Sequence, residues 1–536
     1  ASPQQNEFFI GGVVRRNCAM ILVSVLFVIG GCATLPTDYE RIESHAYSDT
    51  ANTTYGKRAS DMATEHPGKS GFRLLGNGLD AFVARVVLAE HAERSIDVQY
   101  YLYHDDLVAR LFTEQLLKAA DRGVRVRLLV DDMAIAGRDL SVAVADSHPN
   151  MEVRIFNPFS RKTSRLSQFI TRMGSVTRRM HNKSFTVDNQ VTIVGGRNIG
   201  NEYFEANPEL DYADLDVMVI GPVVQEVSTV FDLYWNSELA YPALVLTGES
   251  PTPEQIRNRR QELKDFVAQQ ADSQYLQALQ NSTLANQIRQ SHIRQNELIY
   301  HWGDAEVVYD EPEKLLQSFD KTEYHLGPMI APYFHAVEEE LIIFSPYFVP
   351  GKKGTAFLSQ LSQRGVRVRI LTNSLASNDV PIVHAGYAKY RKRLLRAGVE
   401  LYELNKKLSK EQRKEKKGVG GSSKAALHAK SFVFDRKQAF IGSLNLDPRA
   451  YFHNTEIGIV LASAELANIM GDAFDQNIDK RAFRLELYKD PTGNDSIRWH
   501  GQVDGKQRSF VTDPYVGFWR RFSIDLLGIL PIESQL

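Results

Sequence analysis

The chain of 536 residues carries two copies of one short pattern of reactive side chains. Histidine acts as a nucleophile or as a general acid and base near neutral pH. Lysine and asparagine donate hydrogen bonds to anionic oxygens. The pattern therefore predicts catalysis on a substrate with anionic oxygens. The copies comprise His181, Lys183, Asp188, Gly195, Gly196 and Asn198, and then His428, Lys430, Asp435, Gly442, Ser443 and Asn445.

The spacing within the pattern indicates that β-strands position these side chains. Residues 184–187 and 431–434, which follow the two His-x-Lys triplets, are rich in β-branched and aromatic residues, as strands are. Side chains alternate between the faces of a strand, so the His and Lys of each triplet point the same way. Asp188 and Asp435 fall on the opposite face, and we interpret them as structural. One His-x-Lys triplet is common on surface strands, but two copies with the same trailing pattern are hard to obtain by chance.

The two copies belong to a longer internal repeat. The sequence RGVRVR at 122–127 recurs unchanged at 364–369, which is 242 residues later, and His428 follows His181 by 247 residues. Each half alternates strands and helices, which is typical of an α/β fold. We therefore predict two lobes related by a pseudo-twofold axis, each a mixed β-sheet flanked by helices. One active site at the lobe interface would then combine two His, two Lys and two Asn.

Composition divides the chain into six segments. The polar, Gln-rich connector is predicted to be helical, and the tail mixes aromatic residues with Arg, which suits a helix lying on a membrane or packing against the lobes. The predicted segments are a leader at 1–31, an N-terminal linker at 32–70, lobe 1 at 71–240, the connector at 241–300, lobe 2 at 301–485 and the amphipathic tail at 486–536.

The leader predicts attachment to a bacterial membrane. Arg15 and Arg16 precede an apolar run at 19–29 that is too short to span a bilayer. The run ends in the sequence IGGC at 29–32, which resembles a lipobox, so Cys32 is the predicted lipidation site. Ala33 after it favours the outer over the inner membrane of the cell envelope. An uncleaved membrane anchor is the alternative interpretation.

Four stretches give the chain a specific resemblance to a known family. Over about residues 71–483 it resembles the phospholipase D superfamily, whose signature is this duplicated His-Lys-Asp motif, and it is most similar to bacterial cardiolipin synthases of the C type. The stretches are DVQYY at 97–101, RMHNKSF at 179–185, VGGRNIG at 194–200 and VHAGY at 383–387. The resemblance implies a two-step phosphoryl transfer through a phosphohistidine, with no metal and no cofactor.

The resemblance also implies a role for each motif residue. His181 would be the nucleophile and His428 the general acid and base, although the pseudosymmetry leaves the reverse assignment open. Lys183, Lys430, Asn198 and Asn445 would hold the non-bridging oxygens.

An acidic residue downstream of each motif would orient a histidine through its second ring nitrogen. The candidates are Asp214 and Glu456, and Asp216 is a rival to Asp214.

The expected function is transfer of a phosphatidyl group to phosphatidylglycerol, which yields cardiolipin. The donor would be phosphatidylglycerol or phosphatidylethanolamine, and the protein would act as a monomer on a bacterial membrane. A hydrolase that releases phosphatidic acid is the main alternative, because it would use the same residues. A nuclease is a third hypothesis. The net charge of −2 and the predicted lipobox both argue against a nucleic-acid partner.

Overall fold

The computed structural model describes residues 35–207, 210–248, 250–294, 298–378, 380–406 and 424–529. The predicted leader and its Cys32 lie outside these residues. Among the described residues, no helix has both the length and the apolar composition needed to cross a bilayer.

Lobe 1 is built on a mixed sheet whose strands run in the order β1-β9-β7-β6-β2-β3-β4-β10. The pairs β2–β3 and β3–β4 are parallel, and the other neighbours are antiparallel. The strands of this half are β1 Ser70–Leu75, β2 Ser95–Tyr100, β3 Arg125–Asp131, β4 Met151–Phe156, β5 Arg179–Met180, β6 Ser184–Val187, β7 Val191–Gly195, β8 Leu210–Ala213, β9 Asp216–Ile220 and β10 Ala240–Pro242.

Lobe 2 repeats this arrangement, with the order β11-β19-β17-β16-β12-β13-β14-β20-β21-β22. Its six central strands match those of lobe 1 in order and direction, which confirms the predicted duplication. The strands are β11 His301–Tyr309, β12 Glu340–Phe344, β13 Arg367–Asn373, β14 Glu400–Leu404, β15 Lys424–Leu427, β16 Ser431–Phe434, β17 Gln438–Gly442, β18 Asn454–Thr455, β19 Ile457–Ala462, β20 Ala482–Lys489, β21 Asp495–Val503 and β22 Lys506–Phe510.

Helices cover the outer faces of both sheets and fill the space between them. Those of the first half are α1 Thr54–Ala63, α2 Gly78–Glu90, α3 Leu107–Asp121, α4 Asp139–Asp146, α5 Arg165–Thr171, α6 Met173–Val176, α7 Val223–Trp235, α8 Ala243–Thr247, α9 Pro253–Gln269, α10 Gln274–Gln280 and α11 Thr283–Arg294. Those of the second half are α12 Leu326–His335, α13 Gly351–Gln363, α14 Pro381–Arg396, α15 Pro448–Phe452, α16 Ala464–Arg481 and α17 Phe518–Ile529.

The two lobes share one hydrophobic core between their sheets. Val194 and Val217 of lobe 1 belong to the same buried cluster as Ile441 and Ile459 of lobe 2, together with apolar residues of α7 and α16. The sheets are covered on both faces, which explains why nearly every residue of their central strands is buried. This shared core holds the two motif copies in a fixed mutual position.

Three predicted segment boundaries fall inside observed strands, and those after residues 70 and 240 lie in β1 and β10. The boundary after residue 485 falls inside β20, and the first part of the predicted tail forms β21 and β22 at the edge of the lobe 2 sheet. Buried Phe483 and Leu485 alternate with exposed residues, which is the pattern of a strand with one covered face. The connector segment contains α8 to α11.

Candidate active site

Each motif histidine is held by a short strand from the opposite lobe. β5, which precedes His181, pairs with β18 of lobe 2, and the His181 N–H donates to the Thr455 carbonyl at 2.9 Å. β15, which precedes His428, pairs with β8 of lobe 1, and the His428 N–H donates to the Ala213 carbonyl at 2.9 Å. The two copies therefore meet at the lobe interface.

The acidic partners of the histidines are crossed between the lobes. His181 Nδ1 lies 2.8 Å from a carboxylate oxygen of Glu456, and His428 Nδ1 lies 2.6 Å from one of Asp214. Both carboxylates are buried. With Nδ1–H donating to the carboxylate, the lone pair of each ring is on Nε2, which is the form that a nucleophile or a base needs.

Asp216, the alternative candidate to Asp214, binds arginine residues rather than a histidine. Its carboxylate accepts a hydrogen bond from the Arg85 guanidinium at 2.8 Å and another from the Arg197 backbone N–H at 3.2 Å. Both members of the Asp216–Arg85 pair are buried. Asp214 is therefore the acidic residue of this stretch that contacts a histidine.

The small residues of each motif leave room for these carboxylates. A Cβ atom on Gly196 would lie 2.1 Å from Asp214 Oδ1, and one on Gly195 would lie 2.2 Å from Asp216 Oδ1, so larger side chains would displace both acids. In the second copy Ser443 stands at the position of Gly196, and its hydroxyl donates to the Glu456 carboxylate. The two histidine–carboxylate pairs are thus similar in geometry but different in surroundings.

This difference gives the two pairs different electrostatics. Burial raises the pKa of Glu456 to about 7, against the opposing effect of Lys183. Burial acts on Asp214 in the same direction, but its interactions with His428 and the nearby Lys430 hold the pKa of Asp214 below its usual value. Asp214 is therefore a permanent anion near neutral pH, whereas Glu456 titrates there.

Both histidines of the free protein are neutral near pH 7. Burial, helped by Lys183 and Lys430, holds the pKa of His181 well below its ordinary value. Burial and Lys430 lower the pKa of His428 to about 4, although Asp214 acts in the opposite direction. Only His428 therefore lies beside a fixed negative charge that stabilises its cationic form.

The motif lysines are buried beside their histidines. The Nζ atoms of Lys183 and Lys430 donate to the backbone carbonyls of His181 and His428, and burial lowers the pKa of Lys183 to about 7. An ammonium group has three donors, so Lys183 can hold this carbonyl and a substrate oxygen at the same time.

The two motif asparagines are placed differently. Asn198 Oδ1 accepts the Leu102 N–H at 3.1 Å, and its amide donates to the Tyr203 hydroxyl at 3.0 Å. Asn445 is buried, and its Oδ1 has no hydrogen-bond partner among the described residues. Asn198 is fixed by lobe 1, whereas Asn445 keeps an unpaired oxygen next to the site.

Asp188 and Asp435 lie in tight turns away from the histidines. The Asp188 carboxylate accepts backbone N–H groups of residues 93–95, and the Asp435 carboxylate accepts those of residues 338–340. Their φ angles are 52° and 50°, a region that Asp tolerates better than most residues. These contacts fix the turn after each motif strand to the start of β2 or β12. Asp188 and Asp435 therefore have a structural role.

Several residues outside the two motif copies surround the histidines. The ring of Tyr101 lies 5.1 Å from that of His181, and the rings of Tyr203 and Tyr212 lie 5.1 and 5.0 Å from that of His428. Asp310 supports Glu456 by accepting its backbone N–H at 2.8 Å. Tyr101 belongs to a stretch that carried the family resemblance, but the other three showed no signal in the sequence.

One group of side chains has the composition of a metal site. His104, Asp106 and Glu202 have donor atoms within 4.8 Å of one another. However, both oxygens of Asp106 accept backbone N–H groups, from Ala109 and Asn201. The group therefore has a structural explanation, and metal-free catalysis stays a prediction.

Comparison with known proteins supports the same interpretation. A family model described as "Cardiolipin synthase, PLD-like domain" matches the chain twice, at residues 87–235 and 331–478. Cardiolipin synthase C of Escherichia coli is 42% identical over 478 residues, which are 89% of this chain and 98% of that protein. Cardiolipin synthase B of Salmonella typhi is 25% identical over 73% of this chain and 76% of that protein. The structure of phosphatidylserine synthase from Haemophilus influenzae is similar in fold, with a TM-score of 0.51 and 15% identity over 80% of this chain and 91% of that one.

Proposed function

Because this chain belongs to the family of cardiolipin synthases with phospholipase D-like domains, we propose that it transfers a phosphatidyl group to phosphatidylglycerol and forms cardiolipin. The observation that carries this proposal is the crossed pair of histidine–carboxylate contacts, which joins the two motif copies into one site. Such a site offers one imidazole as a nucleophile and a second as a proton carrier.

The proposed reaction has two balanced steps. First, His181 Nε2 attacks the phosphorus of the donor lipid, a P–N bond forms, and the P–O bond to the leaving alcohol breaks as a protonated His428 gives that oxygen its proton. Then the hydroxyl of phosphatidylglycerol attacks the phosphohistidine, His428 takes its proton, and the P–N bond breaks. Two displacements with a covalent intermediate replace one difficult step.

The electrostatics of the two pairs support this assignment of roles. The general acid must carry a proton when the substrate is bound, and Asp214 beside His428 favours that form. The anionic phosphodiester adds to this effect, because a nearby negative charge raises the pKa of an imidazole. His181 is held neutral by burial and two ammonium groups, as a nucleophile must be.

Lys183, Lys430, Asn198 and Asn445 are proposed to bind the non-bridging oxygens. Fixed donors around a buried phosphorus stabilise the charge that develops as the bonds change. Both lysines are almost fully buried, so their interaction with an anion is screened little by water.

Lipid mass spectrometry after incubation with mixed phosphatidylglycerol and phosphatidylethanolamine vesicles tests the proposal. We expect cardiolipin, and the released alcohol, glycerol or ethanolamine, identifies the donor. Phosphatidic acid without cardiolipin would show a hydrolase instead. Cleavage of DNA without turnover of either lipid would exclude a lipid enzyme altogether.

Activity is expected to be highest near neutral pH, because Lys183 and Glu456 both have a pKa of about 7. Lys183 must be cationic to bind an oxygen, so the rate should fall as the pH rises through its pKa. Glu456 must be ionised to accept the Nδ1–H of His181, so the rate should also fall as the pH drops through its pKa. The pH profile of kcat/KM measures both limbs.

The Lys183→Arg variant provides the control for this profile. A guanidinium keeps its charge up to a pH above about 12. The variant should therefore move the alkaline limb to higher pH and leave the acidic limb in place. An alkaline limb that does not move would show that Lys183 is not the group responsible.

We propose that the protein acts as a monomer on the bacterial cell envelope, tethered by a lipid on Cys32, with the outer membrane as the favoured location. Both halves of the site lie in one chain, so a second copy is not needed. Growth with radiolabelled palmitate tests the tether, since label retained by Cys32→Ala would exclude it.

Helix α17 is proposed to contact the same membrane. Phe518, Trp519, Phe522 and Leu526 are 52–78% exposed, whereas Ile524 is buried against lobe 2. Exposed aromatic side chains on an amphipathic helix insert into the interfacial region of a bilayer. Changing Phe518, Trp519 and Phe522 together to Ser should weaken vesicle binding at least about tenfold, as measured by co-sedimentation.

The matched control for α17 is Ile299→Ser, because Ile299 is 73% exposed in the connector region. This variant should bind vesicles as the unchanged protein does. Equal binding by the triple variant would mean that α17 does not contact the membrane.

A further inference from the structure

Lobe 2 contains an apolar cavity that begins at the second motif. Its volume is about 810 Å³, within the range of roughly 300–1,000 Å³ that is usual for ligand sites. Leu326 and Ile330 of α12 and Leu358 of α13 form its walls, and Leu444 and Asn445 lie at its inner end. The cavity therefore reaches the residues proposed to bind the phosphodiester.

The pseudosymmetry of the chain explains why this cavity exists in lobe 2. In the repeat, Leu444 corresponds to Arg197 and Ala450 to Tyr203. Arg197 is buried and donates to four backbone carbonyls, and Tyr203 packs on His428. Two large polar side chains thus fill lobe 1 where lobe 2 has an apolar side chain and a methyl group, both lining the cavity.

The cavity has polar groups at both ends and apolar walls between them. At the inner end Asn445 Oδ1 is buried without a hydrogen-bond partner among the described residues. At the outer end Lys352 and Lys353 line the cavity and are exposed. They lie in the first turn of α13, which has no side-chain cap and no acidic residue. Two cations at the positive end of a helix favour an anion there.

We propose that this cavity binds an acyl chain of the glycerophospholipid substrate, with Lys352 and Lys353 attracting anionic lipid to its rim. The inference rests on the proposed function and adds a binding site for the hydrocarbon chain to it. A lipid whose phosphate lies between the two histidines can extend a chain past Asn445 into lobe 2. The apolar walls then replace the contacts that the chain loses when it leaves the bilayer.

Burial keeps the cavity compatible with a hydrocarbon chain even where acidic residues line it. Asp447 lies at the inner end, and burial raises its pKa to about 7, which reduces the fixed negative charge there. Asp310 is paired with Lys314 at 2.9 Å. The apolar walls therefore dominate the recognition of the ligand.

The Ala331→Trp variant tests the proposal, because Ala331 is half-buried and lines the cavity. An indole there should lower kcat/KM for a long-chain phosphatidylglycerol about tenfold or more, with little change for dihexanoyl phosphatidylglycerol. The matched control is Ala473→Trp on the exposed face of α16, which should affect neither substrate. An equal loss for both chain lengths, or no loss at all, in a variant of unchanged Tm would overturn the proposal.

Photo-crosslinking separates this inference from the proposed function. A phosphatidylglycerol with a diazirine near the end of one acyl chain should label peptides of α12 and α13 in the unchanged protein and in Ala473→Trp, but not in Ala331→Trp. Such labelling without any cardiolipin formation would support the acyl-chain site and refute the proposed synthase activity. If cardiolipin forms but Ala331→Trp does not reduce the labelling, the proposed acyl-chain site would be refuted and the synthase activity would be supported.

Discussion

Replacing either His181 or His428 with alanine is expected to lower cardiolipin formation by about four orders of magnitude or more, not by half. Residues that act as one catalytic unit are strongly non-additive, and losing one costs nearly as much as losing all. Each histidine contacts a carboxylate of the other lobe through its Nδ1 atom, His181 that of Glu456 and His428 that of Asp214. Steady-state rates with phosphatidylglycerol vesicles measure the effect.

The control for these variants is His91→Ala, because His91 is an exposed residue at the end of α2. It should keep the rate of the unchanged protein. If a single motif variant kept about half of the activity, the two copies would be separate sites and the composite site would be refuted.

A substrate with a good leaving group distinguishes the roles of the two histidines. A nitrophenyl phosphodiester loses a weakly basic oxygen, which needs little help from a general acid. His428→Ala should therefore release nitrophenol in a first turnover, whereas His181→Ala should not. The opposite result would reverse the assignment of nucleophile and acid.

Glu456→Gln is expected to lower kcat by about two to four orders of magnitude. The amide has nearly the same shape as the carboxylate, but it stabilises neither the required tautomer of His181 nor a positive charge on it. Glu456 belongs to lobe 2 and its target to lobe 1, so the variant tests contact across the lobe interface. Rates measured across pH show the effect. The variant should also lose the acidic limb of the pH profile, whereas a purely structural change would leave that limb in place.

A matched control is Glu465→Gln, since Glu465 is an exposed residue in the first turn of α16. Its rate and its pH profile should equal those of the unchanged protein. A Glu456→Gln variant that folds normally and keeps its rate within tenfold would show that the buried carboxylate does not orient His181.

The strands and the repeat were predictable because they depend on local pattern. The alternation after each His-x-Lys triplet and the repeated RGVRVR segment predicted two α/β lobes, and the matching strand order confirms them. The edge strands β21 and β22 were missed, because their alternating pattern lies in a segment that was interpreted from its aromatic and basic residues near 515–529.

The crossing of the acidic partners could not be predicted from the sequence. It depends on how β8 pairs with β15 and β5 with β18, and these pairs join residues more than 200 positions apart in strands of two to four residues. Asp214 and Asp216 are only two residues apart, so pattern alone could not decide between them. The cavity in lobe 2 could not be predicted from the sequence either. Tyr203 and Ala450 occupy equivalent positions of the repeat, and the effect of this difference depends on the residues packed around them.

The most direct test of the single composite site is the number of covalent adducts in each chain. Acid quenching during turnover, followed by intact-protein mass spectrometry, should show at most one phosphatidyl group per chain, and none in His181→Ala. Two adducts on one chain, or an adduct of unchanged yield in His181→Ala, would contradict the account.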